Sequence, residues 1–398
     1  MNQFFTVISE LERSLNNIVQ AQPFSIAIHD QPIDSESLEN LINSVVSEGN
    51  KHHSQTWAAH MTAPISSASM FGQLVASLHN GNLLSASLYP VLATIEKQLL
   101  SWFSQLFHQP YGHFTSGSTY GNLEALWQAK KHSTTSRIVY ASTAAHYSIA
   151  KACQILDLEL RLIETNDHDQ LIPSALEAAC RIQTPLAIIA TLGTSAAGVI
   201  DPIAACCDLA KRVNAWCHID AAWGGALAIL PEYQPLFALC GQADSICFDP
   251  HKGWQQPKPV GVLLYKKNIE PMLSFDTNYL EATPLNSLVG SHGGELFLAL
   301  WFDLIINGVD ALSSRLKQRL EQANAFSDML ADTMEFELYP SETGIVCFSL
   351  KPMSALNTLV DQGMISKANI AGKPVYRTVF SHHYVQAESL MNEIAKNL

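Results

Sequence analysis

Apolar residues recur along this chain with two different periods, and the changes between them mark out its elements. Phe4, Ile8, Leu11, Leu15 and Ile18 are spaced three or four apart, which predicts an opening helix. From about Ala21 to Pro90 the periodicity is weak and His, Ser and Asn are frequent, which predicts loops and short helices laid over a core. A stripe of Leu92, Ile95, Leu99, Leu100, Phe103 and Leu106 then predicts a helix that breaks at Pro110. Beyond it, short continuous apolar runs alternate with helical stripes. Strands are predicted at 137–141, 159–163, 186–192, 216–221, 244–248 and 260–265. Helices are predicted around Ile149, Ala152, Cys153 and Leu156, and over 173–182 and 202–213, with Asp201 as N-cap before Pro202. A helical stretch follows from about Leu296, then strands near 344–350 and 375–380. Strands apolar throughout, alternating with helices, imply an α/β fold whose mostly parallel sheet is covered on both faces. The expected division is an N-terminal helical and loop segment (1–90), a large domain (91–310) and a small C-terminal α/β domain (311–398).

Composition narrows the functional classes. At 398 residues and 47% hydrophobic, the chain can bury a large core. A net charge of −13 with only 15% charged residues argues against nucleic-acid or anionic-membrane partners. So little charge on so apolar a chain suggests a buried subunit interface. The cysteines, at 153, 180, 206, 207, 217, 240, 247 and 347, fall largely in apolar runs without a CxxC pair, so they read as reduced core residues rather than metal ligands. The first residues lack the basic and apolar regions of a signal peptide, and no apolar stretch reaches membrane-spanning length, so a cytoplasmic protein is expected.

Three stretches carry residues suited to chemistry. GHFTSGSTYGNLEALWQAKK (112–131) runs from a Gly-Ser turn into a helix with Leu123, Leu126 and Trp127 on one face. Its start at Ser118 and Thr119 offers orphan backbone N–H groups and hydroxyls to an anion, and reads equally well as an ordinary N-cap. It lacks the lysine of a nucleotide-binding loop. In WCHIDAAWGG (216–225), His218 and Asp220 lie two apart on a strand and face the same side. Asp220, at the carboxyl end, can pair with a protonated ring nitrogen, or cap the next element; a metal site there lacks further ligands at suitable spacing. In DSICFDPHKGWQQPKPVGVLLYKK (244–267), a strand and a turn place His251 and Lys252 at the mouth of the sheet. Lys252 alone supplies an amine there, and neighbouring cations would lower its pKa toward the reactive free base.

The succession TSGSTYGNLEAL, AAHYSIAKACQIL, ATLGTSAAGVIDPI, HIDAAWGG and ADSICFDPHK, from Leu92 to about Val309, resembles the group II pyridoxal-phosphate (PLP)-dependent amino acid decarboxylases. Compact length and the DPHK wording look nearest to the tyrosine/aspartate decarboxylases of that family. The resemblance implies the aspartate-aminotransferase-like fold (fold type I), with a seven-stranded type of central sheet. It implies PLP bound as a Schiff base on Lys252, with Asp220 at the pyridine nitrogen and His146 stacked on the ring near the reacting carbon. Ser118, Thr119 and His251 would hold the phosphate, and Ser195 and His218 would lie beside the ring substituents. Arg377, in VYRTVF, matches the region where the family carries an arginine for the substrate carboxylate, and reads equally as a structural ion pair. A homodimer with active sites at the interface is implied as well.

Two departures stand out. LVGSHGGELFLALW carries His292 where the family usually has an arginine, which removes a fixed bidentate cation near the substrate. The segment from Ser274 to Gly290 is short, with Tyr279 its one phenol. A carbon–carbon lyase or aminotransferase of the same fold, or a PLP-binding protein without catalysis, therefore stands beside decarboxylation. The stretch from Trp57 to Phe71 suggests an aromatic or other neutral substrate, since an acidic one would need cations that the composition makes scarce.

Overall fold

A computed structural model describes residues 34–132, 136–269, 287–333, 336–339 and 341–398. The predicted opening helix and Tyr279 lie outside these residues. The elements in chain order are α1 (Ser35–Asn50), α2 (Ser67–His79), α3 (Pro90–Phe107), β1 (Tyr111–Thr115), α4 (Ser118–His132), β2 (Ile138–Ser142), α5 (Tyr147–Ile155), β3 (Glu159–Ile163), α6 (Pro173–Ile182), β4 (Ala187–Thr191), α7 (Ile203–Val213) and β5 (Trp216–Asp220). They continue with α8 (Gln234–Cys240), β6 (Ser245–Phe248), α9 (Pro250–Gly253), β7 (Gly261–Tyr265), α10 (Leu298–Ala331), β8 (Glu337–Tyr339), β9 (Ile345–Ser349), α11 (Asn357–Asp361), β10 (Ser366–Ile370), β11 (Lys373–Val379) and α12 (Ala387–Lys396).

The central sheet has the order β1-β7-β6-β5-β4-β2-β3. Strands β3, β2, β4, β5 and β6 pair in parallel, whereas β7 is antiparallel to both β6 and β1. Every strand except β7 therefore points the same way, and their carboxyl ends share one edge. Strands β2, β4, β6 and β7 are buried at every position, as a sheet covered on both faces requires. Helix α4 lies on the sheet through small residues: a Cβ on Gly121 would stand 3.0 Å from Cys247 Cβ. Its buried face is Gly121, Asn122, Ala125, Leu126 and Ala129, while Leu123 and Trp127 of the predicted stripe are only half-buried.

A second sheet, β10-β11-β9-β8, is antiparallel and packs with α10 and α12 around Phe326, Phe348, Phe380 and Leu390. Helix α10 enters this unit from the first; Gly308 interrupts it with φ +82°, where a residue with a side chain would be strained. Ala58 donates to Met364 O at 2.9 Å and accepts from the Val379 N–H at 2.7 Å, so the early chain is stitched onto the small sheet.

Three expectations change. Among the described residues, the region before Pro90 contains two helices of 16 and 13 residues, longer than expected although Leu38, Ile42 and Val45 have helical spacing. Strand β1 was not anticipated, because Gly112 and His113 break its apolar pattern. Asp201 does not cap α7, whose N-cap is Pro202. Its carboxylate accepts instead from the Leu171 N–H at 2.9 Å and the Thr191 N–H at 2.8 Å. Burial raises its pKa to about 6 against the pull of those two N–H groups.

Candidate active site

The predicted residues gather at the carboxyl edge of the sheet, where α/β folds bind ligands. Ser118 follows β1, His146 follows β2, Ser195 follows β4, Asp220 ends β5, and His251 and Lys252 follow β6. Five strands thus bring together residues up to 134 positions apart in sequence (252 − 118 = 134).

Asp220 is 3% exposed. Its Oδ2 accepts from Asn122 Nδ2 at 3.0 Å, and its Oδ1 from the Ala222 N–H at 3.1 Å. His218 shares its face, as the two-residue spacing predicts, but both its ring nitrogens are engaged. Nε2 lies 2.8 Å from Asn122 Oδ1 and Nδ1 lies 2.8 Å from Ser245 Oγ. Wholly buried, His218 is pushed down to about 4, burial outweighing the attraction of Asp220, so it is neutral. It is joined to Asp220 through the Asn122 amide.

A different environment surrounds Lys252. Its Nζ is 3.0 Å from Asp249 Oδ2. Burial disfavours the ammonium, but Asp249 and Asp220 outweigh it and the net shift is upward. The sequence suggested the reverse, from neighbouring cations; the carboxylates come from the ends of β5 and β6. Asp249 Oδ1 also accepts from the Ser118 N–H at 2.7 Å and from Ser118 Oγ at 2.9 Å, at the start of α4. Gly117, with φ +101°, makes the turn into this helix, and a Cβ on Gly261 would lie 2.7 Å from Gly117 Cα. Bulk is thereby excluded where β7 passes the turn. His251 Nε2 is 3.8 Å from Asp249 Oδ2, its Nδ1 contacts Val260 O, and burial lowers its pKa.

His146 sits at the start of α5 and is its N-cap. Its Nδ1 lies 2.8 Å from Ser148 Oγ and accepts from the Ser148 N–H at 3.3 Å. Burial lowers its pKa, Lys252 and Lys151 acting in the same direction, while Asp220 and Asp249 oppose.

Arg377 on β11 reaches across from the small sheet. Nε donates to Ser195 O at 2.9 Å and Ala196 O at 3.2 Å, and Nη1 to Ala59 O at 3.1 Å and Ser366 Oγ at 3.2 Å. It clamps the loop after β4 through carbonyls rather than through an ion pair. Among the described residues, its Nη2 is the guanidinium nitrogen not engaged in these bonds. His292 lies 3.7 Å from Glu96 Oε1 and 3.1 Å from Gly290 O, and its pKa is raised chiefly by the neighbouring Glu96 carboxylate. None of these contacts involves Lys252, Asp220 or His146. Trp57 packs over Gly363, and Phe71 stands edge-on to Phe302 at 5.0 Å, so both rings are spent on internal packing rather than on an entrance.

Asn122, Ser148 and Asp249 are site residues that the sequence reading did not single out. One signal was available: Asn122 lies four positions after Ser118, hence on the same helix face.

The donor set fits pyridoxal phosphate. A buried carboxylate suits a protonated ring nitrogen, Lys252 supplies the amine, and the first turn of α4 with Thr119 and His251 suits a phosphate, while Ser118 there gives its N–H and hydroxyl to Asp249. Residues 20–351 match the family model described as the pyridoxal-dependent decarboxylase conserved domain. The chain is 28% identical to a tryptophan decarboxylase of Camptotheca acuminata, over 81% of its own length and 73% of the relative's. It is 32% identical to a probable L-tyrosine/L-aspartate decarboxylase of Methanospirillum hungatei, over 54% of this chain and 59% of the relative. The solved structure of an Oryza sativa tryptophan decarboxylase with PLP and tryptamine superposes with a TM-score of 0.86 at 22% identity, covering 100% of this chain and 96% of that one, which shows the fold. With its fold and most of its length matched, the chain belongs to the family of pyridoxal-dependent decarboxylases and is a PLP-dependent amino acid decarboxylase.

Proposed function

We propose that Lys252, Asp220, His146 and Arg377 carry out the decarboxylation of an L-amino acid to its amine, with Ser118, Thr119 and His251 holding the cofactor phosphate. The observation that carries this reading is the convergence of one amine, one buried carboxylate, one imidazole and one helix start on a single sheet edge. When bound, PLP supplies an aldehyde that condenses with amines and a ring that takes up the electron pair of the breaking bond. Lys252 offers Nζ to that aldehyde. Asp220 keeps the proton on the ring nitrogen, and its amide partner Asn122 fixes the angle at which it does so. Ser195 borders the ring from the loop that Arg377 clamps. Arg377, through Nη2, would orient the substrate carboxylate for loss of carbon dioxide. His146 would lie over the cofactor ring and would be the group that returns a proton to Cα. We assign His292 to the outer part of the substrate site, where its pairing with Glu96 keeps it cationic over a wider pH range.

An aromatic or other neutral side chain is the proposed substrate class, supported by the likeness to tryptophan decarboxylases over most of the chain. One observation favours an acidic alternative. Lys258 Nζ reaches Thr62 Oγ1 at 2.9 Å and Lys51 Nζ lies 4.8 Å from the Trp57 ring, which brings cations to the early chain despite their overall scarcity. The test is carbon dioxide release from purified enzyme with PLP across tryptophan, tyrosine, DOPA, aspartate and glutamate, with the amine product identified by mass. Binding of the cofactor without carbon dioxide from any amino acid would defeat the assignment. In the Lys252→Ala variant, both the imine absorbance and carbon dioxide release should fall to background.

We also propose a homodimer and a cytoplasmic setting. Leu38, Ile42 and Val45 are 46%, 48% and 63% exposed along one face of α1, and Leu78, Leu88 and Val91 are exposed beyond 70% nearby in sequence, which suits a second copy. All eight cysteines are free and buried, and among the described residues no helix is long and apolar enough to cross a membrane. The divisions at 90 and 310 remain our proposed domain limits, the second supported by the break at Gly308. Sedimentation at micromolar concentration tests the dimer.

A further inference from the structure

Behind the site runs a chain of buried polar groups of which the assignments above use only the Asn122–Asp220 contact and the His146 ring. Trp216 Nε1 donates to Ser245 Oγ at 2.8 Å, and Ser245 Oγ is 2.8 Å from His218 Nδ1. His218 Nε2 is 2.8 Å from Asn122 Oδ1. Asn122 Nδ2 donates to Asp220 Oδ2 at 3.0 Å and to Ser148 Oγ at 2.9 Å, and Ser148 Oγ is 2.8 Å from His146 Nδ1. Asn122, Ser148, His218 and Ser245 are each 0% exposed, so no water competes for these bonds.

The directions of the bonds follow from two ends, the Asp220 carboxylate and the Ser148 backbone N–H. A carboxylate accepts only, so the NH2 of Asn122 must face Asp220 and its carbonyl must face His218. The Cys247 thiol, 3.2 Å from Asn122 Oδ1, donates to the same carbonyl and fixes the amide in that sense. The second amide hydrogen goes to Ser148 Oγ. That oxygen keeps a second lone pair, so the amide alone does not direct the Ser148 hydroxyl proton; it donates to His146 Nδ1 because that nitrogen is held as an acceptor from elsewhere. The backbone N–H of Ser148 points at the same nitrogen. Nδ1 of His146 therefore carries a lone pair, and the imidazole proton is on Nε2. An imidazolium would set an Nδ1–H against two donors, so the network resists it. The charged groups facing His146 divide, Asp220 and Asp249 favouring the cation and Lys252 and Lys151 opposing it, while burial opposes it most.

We propose that Asn122 and Ser148 are positioning residues that hold His146 as the neutral Nε2–H tautomer and tie that tautomer to the Asp220 carboxylate through one shared amide. This rests on the reading of His146 and Asp220 as cofactor-facing residues. It adds a cause for the proton's location: Nε2–H is a donor at the far end of the ring, available to the reacting carbon, and Asn122 supports it through Ser148 with the amide that also orients Asp220. The Ser148 N–H cap, at 3.3 Å, already asks for a lone pair on Nδ1, and the hydroxyl at 2.8 Å is the shorter contact that holds it there.

The test uses the full-length chain labelled with 15N in its histidine rings, with and without PLP. The His146 signals are assigned by their absence in His146→Gln. The expected wild-type pattern is an unprotonated Nδ1 and a protonated Nε2. Ser148→Ala should move both signals toward the averaged position of exchanging tautomers, and Ser148→Thr should restore them. In turnover, Ser148→Ala should lower kcat on the order of tenfold with KM unchanged, because the misplaced proton is needed only in the transition state. A wild-type His146 protonated on Nδ1, or a pattern unmoved by Ser148→Ala in a variant that keeps its circular dichroism, would overturn the inference. Absence of the imine absorbance in wild type would instead defeat the cofactor assignment, while the ring signals without PLP still decide the tautomer.

Discussion

Asp220 and Asp249 stand at the ends of neighbouring strands in opposite circumstances. Among the described residues Asp220 is hydrogen-bonded to neutral donors, the Asn122 amide and the Ala222 N–H, and feels the Lys252 ammonium only without a direct ion pair. Asp249 is bonded to the Lys252 ammonium and to the N–H and hydroxyl of Ser118. One carboxylate is oriented and left to meet a positive partner from outside. The other is already satisfied by the chain. A buried carboxylate without a counter-ion is costly, and such a cost is tolerated where a ligand supplies the missing charge. The pair thus separates the end of the site that awaits the ring nitrogen from the end that keeps the lysine charged and the helix start in place.

Substitutions should fall unequally on the two ends. Asp220→Asn keeps the shape of the first end and removes its charge; kcat should drop on the order of 10²–10³-fold with the cofactor still bound, measured by steady-state carbon dioxide release and absorbance. Equal loss at Asp249→Asn would erase the contrast. Arg377→Lys should raise KM about tenfold, because an ammonium cannot hold the Ser195 and Ala196 carbonyls and a carboxylate together. Its effect on Tm should be smaller than that of losing the side chain in Arg377→Ala.

Asp249→Asn should act on Lys252 itself. Asp249 raises that amine's pKa, so the substitution lowers it, and imine formation with added PLP at neutral pH should become faster in stopped-flow absorbance. Since the wild-type pKa is raised, the pair's contribution to stability is complete below the ordinary lysine range and is lost as pH rises through the raised value. Urea midpoints of the PLP-free chain should therefore converge between wild type and Asp249→Asn at strongly alkaline pH. The smallest effect belongs to His292→Asn, outside both ends. The Glu96 contact raises the imidazole pKa, so its contribution is full below the ordinary histidine range and disappears as pH rises through the raised value. A loss under about 1 kcal/mol is expected at acidic pH and none at alkaline pH, by urea titration.

Some elements could be read directly from the chain. Strand β3 and helix α6 occupy the predicted 159–163 and 173–182, because Pro173 sets a helix start and the apolar stripes have one period each. Other elements were hidden for physical reasons. Strand β1 lies at the edge of the sheet and pairs only with β7, so it is buried at one end and reads as a loop. Asp201 has the local signature of a cap, yet its acceptor capacity is taken by Leu171, 30 residues away. Lys252 and Asp220 stood out through motif order, whereas the pKa of Lys252 depended on carboxylates whose distance no motif contains.

The sequence by itself determined the alternation of strands and helices, hence the largely parallel sheet and the edge at which strand ends collect. It also determined the identities of the amine, the carboxylate and the imidazole brought there. Periodicity is a local property, and side-chain direction follows from it. The tertiary structure alone decided what each of these groups bonds to. Asn122 meets Asp220 across 98 positions and Ser118 meets Asp249 across 131, and such bonds exist only once helix α4 has been laid on the sheet. Burial then makes each contact matter, since with water excluded a group's protonation and tautomer are set by the neighbours the fold gives it.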